Sequence, residues 1–432
     1  VTPAHRFRTL LGSAEMARAF TIAVLTAVFS SLAIERMSSQ VTLATVVSAL
    51  CVLGAAILWV RREELSLLRV APTSLLVFLA WALVSLVWTT DKSDTTFAWM
   101  ALFGYGFLAI TVGHIRDTLQ TVRALGDTLR VLLLVSLGVE ILSGILLDVP
   151  FTFLGVQGNL ALGGPIQGIF GSRNMLGFVA VIALITFAIE WRSQSLEARI
   201  AIPSIALATM LAILSASPTV LVLAFAVGVV AVTLTIVRHA PSHRRNAVQW
   251  VLGVLVAMAL ATAFALRHPI IALMDAGSDF SIRATLWNTI LDFVAVKPMQ
   301  GWGWFGGWPR GEYPFNYINY LLDDHHQSAL NAYFDVLLQL GAAGLVLFLL
   351  LGGIATVRSW LVASVRRSVV YAWTPLMLVT LAVESMFESF TIVGAGWFLL
   401  VLCALRAGQS RSWRENIDAA QTGAVPTLRP ER

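Results

Sequence analysis

The sequence predicts an all-α integral membrane protein with about twelve transmembrane helices. Three observations carry this. Of 432 residues, 58% are hydrophobic and 12% charged, with a mean hydropathy of +0.81, whereas water-soluble domains carry about 25% charged residues. Apolar runs near the length of a bilayer crossing recur along the chain. Basic residues gather in alternate connections between those runs. This composition excludes a soluble cytosolic enzyme, a secreted disulfide scaffold and a disordered chain. Cys51 and Cys403 sit inside apolar runs and form no metal or disulfide pattern. The net charge of +5 lies in short connections rather than on one basic face, so no nucleic-acid partner is expected.

In order, the predicted spans are 19–34, 41–60, 72–88, 97–113, 131–147, 175–191, 200–215, 219–237, 248–266, 333–356, 369–387 and 392–405. His5, Arg6, Arg8 and Arg18 precede the first run without a cleavable-signal pattern. With the N-terminus inside, 22 of the 29 Lys and Arg residues fall on the inner side and 7 on the outer. Arg36, Lys92, Arg173, Arg267, Arg283, Lys297 and Arg310 form the outer set. Both termini are therefore expected in the cytoplasm. The chain divides into nine spans over 1–266, an extracytoplasmic loop over 267–332, three spans over 333–405 and a polar cytoplasmic tail over 406–432. The connection 148–173 is the other long outer segment.

Chemistry-bearing residues concentrate in those outer segments. Residues 281–294 read as an amphipathic helix with Ser281 as N-cap and Arg283 in the first turn. Free N–H groups, the helix dipole and a guanidinium would then meet at one point suited to phosphate; the plainer reading is an interfacial helix whose arginine meets lipid headgroups. Residues 301–309, GWGWFGGWP, would offer Trp302, Trp304 and Trp308 as stacking faces for sugar, or serve as an interfacial aromatic belt. In DDHHQ at 323–327, Asp323 and Asp324 flank His325 and His326. General-base chemistry fits this set, a solvated histidine pair is the plainer alternative, and the spacing does not support a metal site. Arg173, in GSRNMLG at 171–177, opens a span and is a second anion candidate, or a snorkelling side chain. Glu384 and Glu388 stand one turn apart near the outer end of a span, and Glu140 lies within one. Buried carboxylates in a membrane need a partner or a task, and interhelical hydrogen bonding is the reading taken for Glu140. On one topology Arg173, Arg283, His325, His326, Glu384 and Glu388 share the outer face. A lipid pyrophosphate carrying sugar suits that constellation.

In this order and topology, GSRNMLG, LSASPT, IRATLW, PMQGWGWFGGW and HHQSALNAYFDVLLQLGAAGL resemble the O-antigen ligase and polymerase family of bacterial inner-membrane glycosyltransferases. The resemblance implies a GT-C-like fold whose long outer loop contains short amphipathic helices. It also implies transfer of a glycan from an undecaprenyl-pyrophosphate-linked donor to an acceptor sugar or glycolipid at the outer face, with inversion and with no metal or other cofactor. Arg283 in IRATLW matches the family's arginine, and His326 is taken as its histidine, with His325 the rival. Where the family often has a basic residue after the serine of the LSxS segment, this chain has Pro218, and Arg173 is expected to supply the charge. Where the family often has His-Asn, it has Leu330 and Asn331. A ligase is the expected function and a polymerase the nearest alternative. A lipid-linked glycan transporter is the alternative of a different class.

Overall fold

The computed structural model describes residues 8–64, 70–265 and 278–421. Its helices are α1 (Ala14–Phe29), α2 (Ser31–Met37), α3 (Gln40–Val60), α4 (Thr73–Val84), α5 (Lys92–Ile115), α6 (Thr118–Ile141), α7 (Arg173–Arg192) and α8 (Ala198–Leu214). They continue as α9 (Pro218–His239), α10 (Ser242–Ala265), α11 (Ser278–Val296), α12 (Phe315–Leu322), α13 (Ala332–Val365), α14 (Trp373–Glu384) and α15 (Gly394–Gln421). Among the described residues the one extended pairing is an isolated bridge between Phe151 and Val156. Each predicted apolar run falls on a helix, the first on the α1–α2 pair, which bends by 66°. Among the described residues six helices are long and apolar enough to cross a membrane, or seven with the bent pair taken as one. The 266/267 boundary, Arg6, Arg69, Arg267 and the end of the tail lie outside the described residues.

Local chemistry fixes where several helices start. Ser13, Ser39, Asp91, Ser172 and Asn331 each accept backbone N–H groups as N-caps. Asp117 and Gln120 form a reciprocal capping box at α6. Helix interiors are apolar on nearly every face, because one side meets protein and the other lipid. On α3, for example, Val41, Val52 and Trp59 are exposed. The core is built around α15, whose residues from Ala395 to Leu405 are mostly buried against α1, α5, α13 and α14. The helix continues past 405, and Arg406 is 7% exposed, so the predicted tail boundary falls inside a packed helix. There the Arg406 guanidinium bonds the Arg116 carbonyl and Thr121 Oγ1.

Connections sort into two ends. At one end Arg36 Nη1 donates to the Leu154 carbonyl at 2.8 Å, Ile166 N to the Leu214 carbonyl at 3.0 Å, and Thr90 Oγ1 to the Tyr313 carbonyl at 3.4 Å. At the other, Arg61 Nη2 donates to the Gly12 carbonyl at 2.9 Å, and His114 Nε2 lies 2.8 Å from the Val70 carbonyl. Arg238 Nη2 reaches three carbonyls, those of Arg366, Arg367 and Ser368, at 2.7–2.8 Å. Each of these pairings joins connections that the basic-residue count expects on the same side.

One helix is broken on purpose. At Gly341, α13 leaves helical geometry with φ 68° and ψ −172°. A break exposes backbone groups that must be satisfied inside a membrane. The 298–303 segment satisfies them: Trp302 N and Gly303 N donate to the carbonyls of Leu338 and Gln339 at 3.1 and 2.8 Å. Ala342 N and Ala343 N donate to those of Pro298 and Met299 at 2.8 and 3.3 Å. Trp81 Nε1 takes the Leu340 carbonyl at 3.0 Å. A Cβ at Gly301 or Gly341 would run into the opposing backbone, which explains the glycines in both motifs.

Candidate functional site

The site forms where the N-termini of α7 and α9, the first half of α11, the 325–331 segment and the turn after α14 converge. Glu388, 6% exposed, is its centre. Its Oε1 accepts from Asn174 Nδ2 at 2.6 Å and from Arg283 Nη2 at 3.2 Å. Asn174 Oδ1 in turn accepts from Ser217 Oγ at 2.7 Å, and Ser217 shares a hydroxyl contact with Thr219 at 2.8 Å. Three of the motifs, GSRNMLG, LSASPT and IRATLW, therefore meet through side chains. Burial pushes the Glu388 carboxyl up, while Arg283 and Asn174 oppose the rise. Glu384, one turn earlier, is fully buried, and neither of its carboxylate oxygens has a hydrogen-bond partner. Arg173 stands at the first position of α7 beside Asn174, with Ser172 as cap.

Arg283 departs from its predicted setting. Because α11 begins at Ser278, Ser281 is not its cap, and Arg283 lies beyond the first turn, away from the free N–H groups. Its guanidinium instead reaches the Leu330 carbonyl at 3.1 Å, the Phe387 carbonyl and Glu388. One turn on, Trp287 Nε1 donates to the Ala329 carbonyl at 2.9 Å and its ring stacks on Phe334. The Arg and Trp of IRATLW thus grip consecutive carbonyls of the segment that carries the histidines. The apolar face of this amphipathic helix is buried at Leu286, Ile290 and Phe293, while Ile282 is exposed.

Within that segment the two histidines differ. His325 is exposed, and its backbone N–H is held by Asp324 Oδ1 at 2.6 Å. The His326 side chain is 9% exposed, and its backbone is fixed on both sides by the Asn319 side chain, at 2.9 and 3.0 Å. Its Nε2 lies 3.3 Å from Asp324 Oδ2. Burial lowers the His326 pKa from the ordinary imidazole value; Asp324 opposes this and the charge of Arg283 reinforces it. Arg283 and His326 therefore share one electrostatic environment. Asp323 is exposed and adopts a left-handed conformation at the end of α12.

The tryptophans form no exposed sugar platform. Trp302, Trp304 and Trp308 are 6%, 1% and 6% exposed. Trp302 donates to the Phe293 carbonyl and lies under Lys297, 4.2 Å from the ring centre. Trp304 meets Phe78 edge-on, and Trp308 Nε1 donates to Asp335 Oδ1 at 2.6 Å. Loop composition cannot separate an exposed ring from a packed one, and here packing prevails. Glu140 bonds a connection rather than the neighbouring helix expected for it: its Oε1 accepts from the N–H groups of Gln167 and Gly168, at 3.0 and 2.8 Å, ahead of α7.

Sequence reasoning missed the residues that assemble the site. Fully buried Asp335 accepts from Trp308, from Ala329 N at 3.0 Å and from Ser389 Oγ. Gln339, one turn on, takes the N–H groups of Phe305 and Gly306 at 2.8 and 2.9 Å. A polar pair at i, i+4 in an otherwise apolar run was the available signal. Asn174 and Ser217 are small and neutral and gave none. No curated protein sequence matches the chain. Residues 203–349 match the model of the family described as O-Antigen ligase. That match spans 147 of the 432 residues and takes in the LSASPT, IRATLW, aromatic-loop and histidine motifs, so this stretch of the chain, whose described residues form an all-helical membrane protein, is similar to the O-antigen ligase family.

Proposed function

We propose that the protein is a glycosyltransferase of the O-antigen ligase type. It moves a glycan from an undecaprenyl-pyrophosphate-linked donor to an acceptor sugar at the extracytoplasmic face of the inner membrane, through a GT-C-like bundle of twelve spans with both termini cytoplasmic. The observation that carries this reading is the meeting of Asn174, Ser217, Arg283 and Glu388, from four distant stretches, beside His326. Arg283, with Arg173 nearby, binds the pyrophosphate and stabilises the charge that grows on it in the transition state. The acceptor hydroxyl oxygen attacks the anomeric carbon from the face opposite the leaving group. The bond from that carbon to the phosphate oxygen breaks, its electron pair leaves with the lipid pyrophosphate, and the anomeric centre inverts. The His326 imidazole takes the hydroxyl proton. Its lowered pKa keeps the ring unprotonated at neutral pH, and so free to accept that proton.

The test is incubation of purified protein with a lipid-linked oligosaccharide and candidate acceptors, followed by mass analysis. A new glycosidic bond to a distinct lipid-anchored core supports the ligase. Elongation of the lipid-linked glycan itself identifies a polymerase. Movement of the donor across a vesicle membrane with no new bond refutes the transferase.

A further inference from the structure

A site proposed to bind diphosphate contains two carboxylates beside its arginine. Glu388 holds Arg283 at 3.2 Å, and Glu384 sits buried one turn away, within electrostatic reach of both. The charge of Glu388 against that one guanidinium opposes the binding of any further anion. Glu388 is also held by Asn174 at 2.6 Å, so it occupies the point where the α7 terminus and the α11 arginine both present donors. A carboxylate accepting from a guanidinium and an amide makes the same kind of contacts as a phosphate oxygen.

We infer that Glu388 is a resident anion that occupies the donor arginine between turnovers and competes with the lipid diphosphate for it. The inference rests on the transferase reading above. A diphosphate carries more charge than one carboxylate and offers several oxygens, so it displaces Glu388 from Arg283 while Asn174 and Ser217 retain their own contact. After transfer the lipid pyrophosphate has lost its sugar, and Glu388 returns to the guanidinium and helps expel the product. Glu388 thereby sets a threshold: an anion must outcompete a tethered carboxylate, which selects diphosphate over monophosphate.

The experiment measures binding of farnesyl diphosphate and farnesyl monophosphate to purified wild-type, E388Q and R283A proteins in detergent. Glutamine keeps an oxygen for Asn174 and Arg283 and removes only the charge. E388Q is expected to bind the diphosphate about tenfold more tightly, in line with the coupling of close charge pairs, and to gain still more for the monophosphate. R283A is expected to lose both ligands. E388D, whose shorter side chain draws the carboxylate back from Arg283, serves if E388Q does not fold, with tighter binding again expected. Unchanged or weaker binding in these Glu388 variants, where the wild type binds and R283A does not, overturns this inference alone. A wild-type protein whose diphosphate binding does not depend on Arg283 overturns both this inference and the transferase reading.

Discussion

His326 and His325 are neighbours in sequence but not in chemistry. His326 is mostly buried and its imidazole is held neutral by that burial, whereas His325 faces solvent. A general base works only when unprotonated. Transfer is therefore expected to be constant at neutral pH and to fall on acidification, with a midpoint below the ordinary imidazole value; an activity profile against pH reads this directly. H326A is expected to lose about 10²- to 10⁴-fold in rate, while H325A stays near wild type in the same assay. Asp335 makes a different kind of prediction. D335A strands the Trp308 indole, the Ala329 amide and the Ser389 hydroxyl inside the protein, at about 1–3 kcal/mol for each unsatisfied group. A clear fall in the thermal unfolding midpoint in detergent is the expected outcome. Charged and imidazole side chains announced themselves in the sequence because they are costly in an apolar chain. Asn174 and Ser217 did not, since their roles depend on partners more than 40 residues away in the chain.

Elements were legible wherever their apolar runs were long. Every predicted run lies on a helix, because lipid outside and protein inside both demand apolar side chains. Starts and interruptions were less legible. Helix α11 already runs from Ser278, so the capping chemistry that Ser281 offers misplaced Arg283. The break in α13 was hidden because Gly341 sits in an apolar run that reads as continuous helix. Its φ and ψ fall in a region that is essentially glycine-only. G341A is expected to destabilise the protein by at least about 1–3 kcal/mol, since the new methyl also meets the Met299 carbonyl. Comparison with G352A, at a helical glycine with open space beside it, separates the backbone effect from a general one in unfolding experiments.

At the scale of the molecule, connections that pair with one another share an end, and the candidate site lies wholly at one of them. Cysteines placed at exposed Asp323 and Glu197 test the proposed orientation. A membrane-impermeant maleimide added to intact spheroplasts is expected to label the first and not the second, and the reverse pattern would invert the topology. The plugged gap in α13 also bears on how such a protein can be recombined. The segment 298–303 and the stretch 338–343 complete each other's backbone pairing, so neither half is a self-sufficient module. A chimera that imports a foreign outer layer must bring its own matching stretch of α13, or the transplanted segment arrives without the partner it was shaped to fit.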